Sequence, residues 1–211
     1  MSEINDSQKS KRPKVGVIIT GLGVKAIVAV PLFEFLEKEG IEVDLLTGTG
    51  GGAKLCALKA MGYDNLDMVE YMADFLSKKP YSKYDYKSIM SLFFNSYRFI
   101  GEDERGVIDR NFLLEEAKKT FGRYQQEDLK PKVIFETTDV YTGRSVTLSK
   151  GSLYKNIYAA ASIYPYLPPV LIEGRSLVSG ILSNPLPIEA SLKQKMDIII
   201  VMWAMDKVLE K

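Results

Sequence analysis

The sequence predicts a single α/β domain in which a mainly parallel central sheet is covered by helices on both faces, giving three layers, α/β/α. Three observations lead there. Short apolar runs suited to buried strands alternate with stretches of helical spacing along the chain. Two glycine loops, Gly21-Leu22-Gly23-Val24-Lys25-Ala26 and Gly48-Thr49-Gly50-Gly51-Gly52, each follow such a run and precede a helical stretch. With 211 residues, 46% hydrophobic and 26% charged, the chain is long enough for one sizeable core and too short for two comfortable domains. The expected organisation is a loose polar tail over residues 1–13 and one domain over residues 14–211.

The elements follow in order. Val15 to Ile19 is an apolar strand, and the helix after the first glycine loop runs to about Glu39 and stops at Gly40. Pro31 falls inside that helix, where it removes a backbone donor and predicts a kink. Val43 to Thr47 reads as a buried parallel strand, and Ala53 to Met61 as a helix ending at Gly62. Asp64 is an N-cap candidate for a helix reaching Lys79 before Pro80. Between Arg110 and Gly122, Phe112, Leu113, Ala117 and Phe121 recur at helical spacing. Lys132 to Thr138, Ser145 to Leu148 and Asp197 to Trp203 read as strands, and Val170 to Val178 as a hairpin turning at Glu173-Gly174.

Strand, tight glycine turn and helix form the setting in which a G-x-S-x-G elbow presents a serine. Here the serine position is Gly50. The first loop, Gly21 to Lys25, is of the kind that aims backbone N–H groups at an anion. Later segments add to the pattern: Val133 to Gly143, Ala160 to Val170, Leu177-Val178-Ser179-Gly180, and Asn184-Pro185-Leu186-Pro187. In this order and spacing the chain resembles the patatin-like phospholipases, from about Lys14 to Trp203. The resemblance implies a patatin-like fold, an oxyanion loop at Gly21 to Ala26, a nucleophile elbow at Gly48 to Ala53, and a D-G motif at Ser179-Gly180.

The departures fall on the chemistry. Gly50 stands at the nucleophile position, Ser179 at the position of the dyad acid, and Leu22 and Ala26 replace loop glycines. Removing a triad-type nucleophile costs about 10⁶ in turnover. The expectation is a member whose dyad is dismantled, with no catalytic residue. Gly21, Leu22, Gly23, Val24, Lys25 and Gly51 are the candidate anion- or ligand-binding residues. The alternative is an active lipid acyl hydrolase with an unrecognised nucleophile. The chain has no histidine, which excludes Ser-His and Cys-His arrangements. Cys56 reads as a small buried hydrophobe. Thr49 should point away from the mouth, Ser162 reads as a helix-end hydrogen-bonding residue, and Lys25 and Lys54 as solvated surface lysines.

A minor alternative is nucleotide binding, since Gly21-x-Gly23-x-x-Ala26 fits a dinucleotide fingerprint with Glu42 and Asp44 about twenty residues on. Those acids enter the second strand rather than leave it, which counts against the reading. Gly48 to Leu55 lacks the hydroxyl a P-loop uses to hold magnesium. No cofactor or metal is implied. A net charge of +1 gives no global field for nucleic acid or an anionic membrane. One cysteine and a start without a signal-peptide layout make cytoplasm the default expectation, with signal-independent export left open. The expected partners are a lipid or acyl ligand, or a protein. Residues 81–100 place Tyr81, Phe93 and Tyr97 beside Lys83, Lys87 and Arg98. That suits either peripheral membrane contact or a lid, or a helix packing its aromatic face on the core, the reading favoured here.

Overall fold

The computed structural model describes residues 12–77, 110–164 and 166–205. Residues 81–100 lie outside the described residues.

A seven-stranded sheet carries the molecule: β1 Val15–Gly21, β2 Leu45–Gly50, β3 Lys132–Asp139, β4 Ser145–Leu148, β5 Val170–Ile172, β6 Arg175–Ser179 and β7 Ile198–Ala204. The order across it is β5-β6-β3-β2-β1-β7, with β4 also paired to β3. Strands β3, β2, β1 and β7 run parallel, while β4 and β6 run antiparallel to β3, and β5 to β6. The central sheet is mainly parallel, as expected, with antiparallel strands added at one side by β4 and the β5–β6 hairpin. Its turn lies where the sequence places it, with Glu173 and Gly174 both at positive φ.

The helices are α1 Val30–Lys38, α2 Gly51–Ala60, α3 Asn65–Ser77, α4 Arg110–Phe121, α5 Leu153–Ala161 and α6 Ile188–Leu192. Asp64 caps α3 by accepting a hydrogen bond from the Asp67 amide at 2.8 Å. Helix α5 ends at Ser162, where the sequence places a helix end, and α6 is an addition to the sequence-based expectation. The helix expected after the first glycine loop divides instead into a 3₁₀ segment, Gly23–Ala29, and α1. Pro31 sits in the first turn of α1. A proline there loses no helix hydrogen bond, so the residue that would have kinked one helix starts a second one.

Most of the core lies on one face of the sheet. Val17, Ile19, Leu46, Val133 and Phe135 pack there against α1, α2, α3 and α5. The opposite face has a small cluster of Leu45, Ile134 and Ala190, the last from α6. Helix α2 is central: all its residues except Lys59 are buried. Consecutive small and apolar side chains replace an amphipathic pattern because neighbours surround it on every side.

Arg12, assigned to the loose tail by sequence, is held. Its guanidinium donates to both carboxylate oxygens of Asp44, at 2.8 and 2.9 Å, and also pairs with Glu42. Asp44 accepts the Val15 amide at 2.9 Å as well. The Arg12 hydrogen bond above all, outweighing burial, holds the Asp44 carboxyl below its usual range. A carboxyl whose folded pKa is depressed stabilises the fold above the ordinary value near pH 4, and that contribution disappears as pH falls through the folded value. Asp44→Asn is expected to lower the urea midpoint at pH 7 and to flatten its decline below about pH 4. Parallel acid limbs in variant and parent would show that this pair contributes nothing.

Candidate functional site

Strand β2 ends on Gly50 and α2 begins on Gly51, so the chain reverses from strand to helix within one residue. Gly50 makes that possible with φ 63° and ψ −132°. Non-glycine residues reach this region only under strain of about 1 to 3 kcal/mol. The elbow is thus present in its demanding backbone form, without a side chain.

The space around it is taken. Gly50 is level with Gly21 across β1 and β2. A Cβ on Gly50 would stand 2.5 Å from the Gly21 carbonyl oxygen and overlap Cδ1 of Ile181. A Cβ on Gly51 would overlap the Gly23 carbonyl, one on Gly52 the Ile19 carbonyl, and one on Gly48 the backbone of Ala53. In the loop itself Gly23 and Lys25 are exposed, Leu22 and Val24 half-buried. The Lys25 amide donates to the Leu22 carbonyl at 3.1 Å, closing a turn. Carbonyl oxygens of Gly21 and Gly23 therefore face the elbow, where an oxyanion would need donors.

Ser179 ends β6, fully buried. Its amide donates to the Ser162 carbonyl at 2.7 Å, and its carbonyl accepts from Thr138 at 2.9 Å. Among the described residues its hydroxyl accepts a long 3.4 Å contact from the Ile181 amide and no other. Ser179 pairs with Thr137 on β3, just past Phe135, where the β2–β3 pairing ends at Gly48. The two positions lie off the same side of β3, because Asp139 and the Val133 carbonyl turn toward β4 and its neighbour Gln126, whereas Val140 turns toward β6. Ile181, two residues beyond Ser179, reaches over Gly50 between them.

The candidates for a substitute nucleophile are occupied or inaccessible. Burial pushes the Cys56 thiol far up, leaving it protonated. Ser162 caps α5 and donates to the Pro168 carbonyl at 2.8 Å. Thr49 is fully buried, with no hydrogen-bond partner among the described residues. It alternates with Gly50 along β2 and so lies on the other face of the sheet. Glu42 and Asp44 sit before β2, at the end of the sheet remote from both glycine loops, where Arg12 binds them.

Two residues correct or extend the sequence reading. Lys54 is buried rather than solvated, 8% exposed, and burial draws its pKa down to about 7. Glu136 was missed. It is buried on β3, accepting from Thr147 at 2.7 Å and from the Asn184 amide at 2.8 Å. The available signal was a carboxylate inside an apolar strand, which needs partners when buried. Asn184 of the N-x-P turn is one of them.

A family model described as patatin-like phospholipase matches residues 17–192. The chain belongs to this family. Among curated relatives, a protein named lysophospholipase nte1 from Aspergillus oryzae is 28% identical over 166 residues, which cover 79% of this chain. One of the same name from Emericella nidulans is 29% identical over an equal span. The chain spans about a tenth of the length of these relatives, 10% in each case. The crystal structure of VipD from Legionella pneumophila superposes with a TM-score of 0.53 at 12% identity, over 82% of this chain and 46% of that one. At that identity the likeness speaks for the patatin-like fold alone.

Two expectations follow. Gly52→Ala is expected to destabilise by about 3 kcal/mol or prevent folding, whereas Gly62→Ala, which meets open space at positive φ, costs about 1 kcal/mol in urea denaturation. Because the folded pKa of Lys54 lies below its ordinary value near 10.4, the unfolded chain holds more protons between about pH 7 and 10, and stability rises across that window. Lys54→Met is therefore expected to lose the rise in stability that the parent shows between about pH 7 and 10; equal pH slopes in variant and parent would contradict the buried-lysine assignment.

Proposed function

We propose that this chain is a patatin-like protein without hydrolytic turnover, acting by binding a lipid, an acyl group or a protein partner. The observation that carries the reading is the elbow: Gly50 offers no nucleophile, and the Gly21 carbonyl and Ile181 occupy the space its side chain would need. Ser179 at the acid position supports it, since a buried hydroxyl there cannot hold a serine oxygen deprotonated as a carboxylate-based dyad does. The lipid or acyl class is suggested by the relatives named lysophospholipases. Their activity, if present here, would require a different nucleophile, and Cys56, Ser162 and Thr49 are each buried.

The test is hydrolysis of a short-chain p-nitrophenyl ester and of lysophosphatidylcholine by the purified protein. The expected rate is the uncatalysed background, with no adduct after fluorophosphonate treatment. Sustained turnover abolished by one hydroxyl or thiol substitution would defeat the proposal. Gly50→Ser combined with Ser179→Asp is expected to stay silent and to lose more than about 3 kcal/mol of stability, because a side chain at 50 meets the Gly21 carbonyl and a carboxylate at 179 is buried without compensating donors.

A further inference from the structure

We propose that the protein pairs with a second copy of itself along β7, the two strands running antiparallel about a two-fold axis at Val201. Strand β7 ends the sheet, and among the described residues it pairs only with β1. It is seven residues long, Ile-Ile-Ile-Val-Met-Trp-Ala, with no charge, proline or glycine. Edge strands ordinarily carry such residues to block pairing. The other edge, β5, is three residues long and turns through Glu173 and Gly174 into Arg175.

The backbone sets the register. The Ile198 amide donates to the Lys14 carbonyl at 3.1 Å, toward β1. Alternation along the strand then leaves the amides and carbonyls of Ile199, Val201 and Trp203 pointing off the open edge. A two-fold axis at Val201 makes these three the hydrogen-bonded positions of an antiparallel ladder. Val201 then faces itself, Trp203 faces Ile199, and Ile198 faces Ala204, so bulky residues meet smaller ones. Aromatic and β-branched residues paired across strands are stabilising. Ile198 is 46% exposed, Val201 40% and Trp203 46%, surface that such pairing covers. The nearest charge, Asp197, falls opposite the neutral Met205, so the strand ends bring no like charges face to face.

Area fixes the strength. Seven residues make an edge about 24 Å long, and the sheet with one covering layer is about 20 Å thick, or roughly 500 Å² per partner. The covering layer is the 3₁₀ segment, which packs on β1 and β7 and exposes Val28. A total near 1,000 Å² is at the lower limit for a specific interface, which implies a dimer that dissociates on dilution.

Sedimentation of the purified chain from about 1 to 200 μM is expected to show a monomer–dimer equilibrium in the micromolar range, absent in Val201→Lys. Val201→Cys supplies an independent readout. Residues facing each other in a hydrogen-bonded antiparallel pair have Cα atoms about 5.5 Å apart, within disulfide range. Under air oxidation Val201→Cys is expected to cross-link into dimers at least about tenfold faster than Leu171→Cys on the opposite edge, itself 66% exposed. The buried Cys56 takes no part. A parent chain that stays monomeric throughout, or equal cross-linking of the two cysteine variants, would overturn the proposal.

Discussion

The mouth of the sheet depends on backbone touching backbone. The end of β1, the loop after it and the β2–α2 turn meet so closely that Gly48, Gly50, Gly51 and Gly52 have no room for a Cβ. Each glycine costs about 0.5 to 1 kcal/mol in chain entropy relative to alanine. Helix α2 gains from the close approach, because it sinks far enough to bury Leu55, Cys56 and Leu58 completely. Burying a side chain such as leucine contributes about 1.5 to 3 kcal/mol, so a few of these outweigh the glycines. The elbow is therefore a structural joint, and its close packing needs glycine at Gly50 and its neighbours.

The two faces of the sheet are held by different forces. On the α2 face, Val17, Ile19, Leu46, Val133 and Phe135 form a continuous apolar layer. On the other face the rows turn polar toward the mouth. Thr47 and Ser191 share a hydrogen bond at 2.8 Å, Thr138 and Ser183 one at 2.7 Å, and Glu136 joins Thr147 to Asn184. Directional bonds fix the segment from Gly180 to Asn184 where apolar packing alone would let it slide. Gly180 presses against the Glu136 backbone, where a Cβ would stand 2.6 Å from the carbonyl oxygen. This anchoring is what brings Ile181 over Gly50.

The sequence revealed the joint more readily than its surroundings. Strands β1, β3 and β4 and the β5–β6 hairpin followed from apolar runs bounded by turn residues, and α3 from its Asp64 cap. Gly50 and Ser179 stood out because motif spacing identifies a position whatever residue fills it. Burial around α2 was not legible, since Lys54 reads as a surface residue until neighbours are known to surround the helix. The division at Pro31 was hidden for another reason: helical spacing continues through Gly23–Ala29, and only hydrogen bonding separates a 3₁₀ turn from an α-helix. Glu136 lay in plain view, but its partners Thr147 and Asn184 are 11 and 48 residues away.

Gly50 and Ser179 fit one another and fit the packing. A carboxylate at 179 would replace a fully buried serine whose nearest polar neighbours include the Ser162 carbonyl, an acceptor, and the distant Ile181 amide. Without a cation or several donors, an ionised group there would carry a large desolvation penalty. A side chain at 50 would press on Gly21 and Ile181. Accommodating a side chain at 50 would require the Gly21 carbonyl to shift as well as the Ile181 side chain to turn aside. Gly50 and Ser179 are instead the small, uncharged side chains that let the mouth close over the elbow. The closed packing and the two small residues are thus two aspects of one arrangement, and a serine at 50 with an aspartate at 179 would have to change the packing as well as the residues.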